Sequence, residues 1–374
     1  MAIKRVVMGE ILPAELEIGV PLPYTVYDEN HTLLLHKGAV LGTQRQLDAL
    51  LERGLYRVDD VGGVAEAPLP ENPLVRLDRL CRELNTLIAA PARAEGRFEN
   101  GIVSIATRLG LLCDEYPDAT LAGMLHDRQT RYAVRHMAHC AVVSHLLADA
   151  VGLVPSERLA VVCAALTMNL SIVNLQNELN GSVLRSVTEN ERQQILAHPE
   201  RTVAALRSHG VADEPWLDYV LQHHEAYDGS GYPFGRSGAG IELGARIVGL
   251  VDRYIARLRH RADREGKLPN ESLRDIFVSR GAEVDPQLAQ FLVKTVGIYP
   301  PGLVVELENG EVGVVIRRTD AAHAPDVQVL VARERLLAQP EGRLTDQAPF
   351  RIRSGLMADS MRYRFDPLRF WQEA

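Results

Sequence analysis

Residues 223–235 read His-His-Glu-Ala-Tyr-Asp-Gly-Ser-Gly-Tyr-Pro-Phe-Gly, and no other run constrains the fold of this chain as much. Adjacent histidines, two carboxylates and a glycine-rich turn through Gly231-Tyr232-Pro233 are poor material for core packing. Histidine is the commonest metal ligand and carboxylates bind hard cations. Glycines let a backbone come close to a ligand. Whether the chain holds the rest of a metal site decides what such a run is for.

The surroundings are helical. Between residues 136 and 151, His136, Cys140, Val143, Leu147 and Val151 fall at i, +4, +7, +11 and +15. At about 100° per residue these form one apolar stripe, so His136 is expected on the buried face, His139 beside it and His145 opposite. Gly152 ends this helix. The next follows Pro155-Ser156, with Leu159, Cys163, Leu166 and Leu170 on its core face and Asn180-Gly181 as its stop. Thr188 and Glu191 have the spacing of a capping box for a third helix, running towards Ile195 and His198.

Both ends have a different pattern. Residues 1–62 read as a small α+β module: strands at Tyr24–Tyr27 and Thr32–His36, a helix capped by Thr43 and Gln46 that stops at Gly54, and a strand closing at Val58. Gly62-Gly63 and three prolines make 63–74 a linker. After the helical region, 75–298, a β-rich module occupies 299–374. There Asn309-Gly310 between apolar runs signals a hairpin with a type I′ turn, Val327–Val331 adds a strand, and Met357 onwards is read as a loose tail.

The chain has 374 residues, 46% of them hydrophobic, and a formal charge of −8. That balance argues against a broad nucleic-acid or anionic-membrane surface. No stretch approaches about 18 uninterrupted apolar residues, so no membrane span is expected. The N-terminus lacks a signal-peptide apolar stretch. Cys81, Cys113, Cys140 and Cys163 are dispersed and form no Cys-x-x-Cys. They read as buried free thiols in a reducing compartment, which points to the cytoplasm. His31, His36, His209 and His323, and the dipeptide His126-Asp127, read as structural or solvated.

The run at 223–235 resembles the signature of the HD-GYP family, metal-dependent phosphodiesterases that open cyclic-di-GMP. The resemblance covers roughly 125–298 and implies a mainly α fold, an HD-superfamily helical bundle flanked here by the two small modules. Family members order their ligands His … His-Asp … His … His-His … Asp. Matching stations here are His136, His198-Pro199, His223-His224 and Asp252, the last introduced by Arg246-Ile247-Val248.

The second station differs. Where the family has Leu-Leu-His-Asp-Ile-Gly-Lys, this chain reads Leu166-Thr167-Met168-Asn169-Leu170-Ser171-Ile172. Met168, Asn169 and Ile172 replace the imidazole, the carboxylate that bridges two metals in the family, and the lysine that faces the scissile phosphate. Tyr132 replaces the glutamate of three-metal members. The resemblance implies that His198, His223 and His224 serve one ion (Fe, Mn or Zn), with His136 and Asp252 short of partners for a second. An empty pocket is the alternative. It also implies nucleotide contacts at Tyr232, Arg261 and Arg264.

Three functions follow as expectations. One is a degenerate, non-catalytic or strongly impaired regulator that binds cyclic-di-GMP or a partner such as a GGDEF-domain protein. The second is a phosphodiesterase with residual activity on one metal. The third is a scaffold with neither metal nor nucleotide. Two copies of the chain are expected to pair, as HD-GYP proteins often do.

Overall fold

The structure, a computed structural model, describes residues 71–89, 97–126, 131–181, 186–258, 267–357 and 366–371, with parts of 8–58. The chain divides into two units, Met1–Pro70 and Glu71–Ala374.

In the first unit, β1 (Met8–Glu10), β2 (Val26–Tyr27), β3 (Leu33–Leu35) and β4 (Tyr56–Val58) form an antiparallel sheet in the order β1-β4-β2-β3. Helix α1 (Gln44–Leu51) starts where the Gln46 amide donates to Thr43 Oγ1 at 3.3 Å. Leu16, Leu22, Val26, Leu41 and Leu47 form its small core.

The second unit is a helical body carrying a sheet. Its helices are α2 (Pro73–Ala89), α3 (Arg97–Glu115), α4 (Pro117–His126), α5 (Tyr132–Val151), α6 (Pro155–Thr167) and α7 (Val173–Gly181). They continue with α8 (Glu189–Ser208), α9 (Glu214–Gln222), α10 (Leu243–Leu258), α11 (Pro269–Val278) and α12 (Pro286–Val296). α5 is the axis, packed against α2, α3, α4, α6, α7, α10 and α12. A helix covered on every side carries small and apolar residues all round rather than one stripe, and α5 is buried on nearly all faces. The expectation for His145 is therefore corrected. It is buried, with Nε2 2.7 Å from Asp114 Oδ1, and its ring packs where Gly110 of α3 has no side chain.

The helix expected from Pro155 to Asn180 breaks. α6 ends at Thr167, and residues 170–172 form a 3₁₀ turn before α7. The stretch Pro155–Gly181 is apolar and long enough to cross a membrane, but 67% of its most apolar window is buried inside the protein. At the break, Thr167 Oγ1 donates to the Cys163 carbonyl (2.7 Å) and accepts from Trp216 Nε1 (2.8 Å). The Ser171 amide donates to Thr202 Oγ1 of α8 at 3.3 Å. The last of these gives an amide of the interrupted backbone the partner that a continuous helix would have supplied.

The sheet runs β8 (Arg335–Leu344), β7 (Asp326–Ala332), β6 (Val312–Arg317), β5 (Val304–Leu307) and β9 (Ile352–Leu356), all antiparallel. One face, with Val305, Leu307, Val315, Val327 and Val329, packs on Leu125, Leu268 and Tyr299. The β5–β6 turn is not type I′. Of Asn309 and Gly310 only Gly310 has positive φ (82°), and its amide bonds the Leu307 carbonyl, a three-residue loop ending in a left-handed glycine. Both φ values are positive at Arg333-Glu334 instead, between β7 and β8. The expectation of a loose tail fails for 366–371. Phe370 and Trp371 cover Val304, Val314, Leu330 and Val331, and Trp371 Nε1 donates to the Ile316 carbonyl at 3.3 Å.

Candidate metal centre

Two imidazoles of the site, His198 and His223, are aimed by local features of the sequence. In α8, Pro199 follows His198 and has no amide hydrogen, so the Ile195 carbonyl four residues back loses its helical donor. His198 Nδ1 takes that place, donating to Ile195 O at 2.5 Å. At the end of α9 the last carbonyls also lack helical partners, and His223 Nδ1 donates to Val220 O at 2.6 Å. A carbonyl can only accept, so both rings carry their hydrogen on Nδ1. Their bare Nε2 atoms then face each other at 3.2 Å.

Two lone pairs at that distance repel unless a proton or a metal ion lies between them. Burial, with His223 beside it, pushes His198 down to about 3, and burial lowers His223 and His224 as well. A shared proton is therefore disfavoured at neutral pH, and the arrangement fits a cation. His224 completes the set: one nitrogen from each of the three rings lies within 4.8 Å of the others. Neutral imidazoles whose other nitrogen is held by a carbonyl are the usual form of metal-binding histidine.

The turn after His224 is held by hydrogen bonds to its own carboxylates. The two carboxylates of the run serve the backbone. Glu225 accepts from the amides of Phe234 (2.8 Å) and Arg236 (2.9 Å), and Asp228 accepts from the amide and hydroxyl of Ser230. Gly231 is obligatory, because a Cβ there would lie 2.2 Å from the Ala226 nitrogen. Gly249 of α10 gives the same close approach to the His223 carbonyl. Tyr232 consequently stacks on His224, ring centroids 4.7 Å apart at 24°. Burial, and then Asp252, pushes its phenol up, so it stays protonated.

His136 of α5 meets Asp252 of α10, Nε2 to Oδ1 at 2.6 Å. Burial alone would raise the Asp252 carboxyl. The hydrogen bond and charge of His136, with His224 and His223 nearby, hold it well below the usual carboxylate range. His136, His198, His224 and Asp252 line one pocket of about 200 Å³.

The break at 168–172 forms another wall of that pocket. Asn169, 2% exposed, and Ile172 line it, as do Gln176 and Asn180 of α7. Met168 is fully buried within the hydrophobic core. Among the described residues, the Tyr132 hydroxyl, Gln176 Oε1 and Asn180 Oδ1 are buried without a partner. Arg261 and Arg264 lie outside the described residues. Sequence reasoning missed Gln176 and Asn180, which become visible only once the helix is known to break and α7 to line the cavity.

Residues 118–288 match the HD domain family. The chain is 36% identical over 132 residues to the cyclic di-GMP phosphodiesterase PA4108 of Pseudomonas aeruginosa, 35% of this chain and 32% of that protein. It is 40% identical over 75 residues to the cyclic di-GMP phosphodiesterase response regulator RpfG of Xanthomonas campestris, 20% of each. The chain thus spans a third or less of the length of these two relatives. Among solved structures it resembles the HDG"Y"P protein Bd1817 of Bdellovibrio bacteriovorus, with TM-score 0.50 and 17% identity over 76% of this chain and 98% of that one. The helical body, the order of its histidines and Asp252, and these matches support an HD-GYP member, with an HD domain over residues 118–288.

Proposed function

We propose that this chain binds a cyclic dinucleotide, cyclic-di-GMP foremost, in the pocket between α5, α7, α8 and α10, and that its hydrolytic power is lost or strongly impaired. The observation that carries the reading is Asn169. It lines the same pocket as His136, His198, His224 and Asp252, where it offers a neutral amide. A divalent ion held by His198, His223 and His224 would polarise a phosphate oxygen and lower the pKa of a bound water. Tyr232, stacked on His224 at the pocket edge, supplies an aromatic face for a base. Ile172 leaves that wall without a cation of its own.

The relatives described as cyclic di-GMP phosphodiesterases support the ligand class. With no carboxylate at 169 to join two metals, strong turnover is not expected. Purified protein supplied with Mn or Fe should bind cyclic-di-GMP by calorimetry, lose that binding in Tyr232→Ala, and leave the dinucleotide intact. Clear hydrolysis abolished by His223→Ala would overturn the impaired reading and favour a one-metal phosphodiesterase. Absence of any binding would reject the ligand.

One observation favours a partner protein as well. Phe234, next to the Gly-Tyr-Pro turn, is 53% exposed, with Arg236 over its ring. A GGDEF-domain protein contacting this turn would cover it. Loss of that association in Phe234→Ala, with cyclic-di-GMP affinity unchanged, is the expected result.

A further inference from the structure

A second set of donors converges around His136 and Asp252, which line the same pocket as His198 and His224. His136 and Cys140 lie one helical turn apart on α5, so their side chains share a face. His136 Nε2 is 2.6 Å from Asp252 Oδ1 and 3.6 Å from Cys140 Sγ. One donor atom from each residue lies within 4.8 Å of the others. His136 and Cys140 are buried, and the Asp252 side chain is only 15% exposed. His136 and Asp252 are stations already legible in the sequence, whereas Cys140 reads there as a core residue. We propose that His136, Cys140 and Asp252 form a second cation site, in which Cys140 is a thiolate ligand and which selects a thiophilic divalent ion over Mn or Mg.

Charge and softness both lead there. A carboxylate and a thiolate bring two negative charges to a divalent ion, and a buried charge has to be matched. The three-histidine set brings none, and Asn169 and Ile172 on the adjoining wall add none. Thiolate ligands favour zinc, ferrous iron and cobalt, while magnesium and manganese prefer all-oxygen surroundings. Binding breaks the Cys140 S–H bond, forms a metal–sulfur bond and releases the proton to solvent, with no change of oxidation state. Cys113 and Cys163, also buried, belong to no group of convergent donors among the described residues.

The test uses the full chain, stripped with a chelator, kept reduced and titrated with cobalt(II) alone. A thiolate-to-cobalt charge-transfer band should appear in the near ultraviolet and vanish in Cys140→Ser. Weaker visible bands from cobalt on the three histidines should persist in that variant. Zinc stoichiometry should fall from two to one. Absence of the charge-transfer band in folded wild-type protein, or its survival in Cys140→Ser, would overturn the site. Should Cys140→Ser fail to fold, the near-isosteric Asp252→Asn serves instead. It should weaken cobalt binding at that band at least tenfold, and unchanged binding there counts equally against the proposal. The readout is the metal alone, so failure of dinucleotide binding leaves it untouched.

Discussion

At the three-histidine side of the site, His198 and His223 are each aimed by a carbonyl that the local sequence sets free, and their Nε2 atoms meet at 3.2 Å. On the other wall, the break at 168–172 presents a neutral amide and an aliphatic chain, with α7 adding further amides. The contrast separates two tasks usually found together. Geometry that holds a cation depends on helix ends, a proline and glycines. The charge that lets two cations work as a pair depends on one carboxylate. Here the first is seen at His198 and His223, while position 169 carries a neutral amide where the proposed reading looks for that carboxylate.

Removing the best-organised ring should disturb this contrast most. His223→Ala takes away one of three imidazoles, and cation affinity at that wall should fall by more than the roughly 100-fold typical of losing a supporting group. Metal analysis after reconstitution with Fe, Mn or Zn should show one equivalent fewer than wild type. An unchanged metal content would place the ion elsewhere.

Pro199→Ala sharpens the comparison, because its two effects have opposite signs. The restored amide competes for the Ile195 carbonyl, so His198 loses its orienting acceptor and metal affinity should fall about 10–100-fold. The helix meanwhile gains part of the ~3 kcal/mol that an interior proline costs. A zinc titration and a thermal melt read both. A more stable variant with wild-type affinity would show that the carbonyl does not set the ring.

Acid probes the same wall without mutation. His198 is held down to about 3, against an ordinary value of about 6.5. Below pH ~6.5 the unfolded chain takes up a proton that the folded chain refuses until about pH 3. This residue's contribution is therefore complete above that window and lost as pH falls through it, by about 1.4 kcal/mol per pH unit. Urea midpoints of chelator-treated protein should drop steadily from pH 7 to pH 5. A flat profile would mean that the ring is not buried and neutral.

The smallest effect belongs to the other wall. Trp216→Phe removes the 2.8 Å bond to Thr167 Oγ1 beside the break, worth about 1 kcal/mol net. If the bond also positions Asn169, dinucleotide affinity should fall with stability. A stability loss alone would limit Trp216 to packing.

The stations were readable because their chemistry lies in residue identity: histidines and an aspartate in a fixed order stay visible without coordinates. Cys140 was not readable as a ligand. It falls on the apolar stripe of α5, and periodicity reports which residues share a face but not what that face meets. The roles of Glu225 and Asp228 were likewise open in the sequence, because a carboxylate beside histidines is equally suited to holding backbone amides. The helix break escaped because Met168, Asn169 and Leu170 carry no proline or glycine. Tertiary bonds from Trp216 and Thr202 hold it open.

From the sequence alone came the mainly helical body, the caps at Thr188 and Gly152, the order of the histidines and Asp252, and the asparagine at 169. All of these depend on local pattern or on the identity of one residue. Only the tertiary structure decided that Asn169 and Ile172 enter the pocket while Met168 enters the core, that Nε2 faces Nε2, and that Cys140 stands beside His136 and Asp252. Those facts join α5, α6, α8, α9 and α10 across more than a hundred residues, and no short-range pattern carries the distance between them.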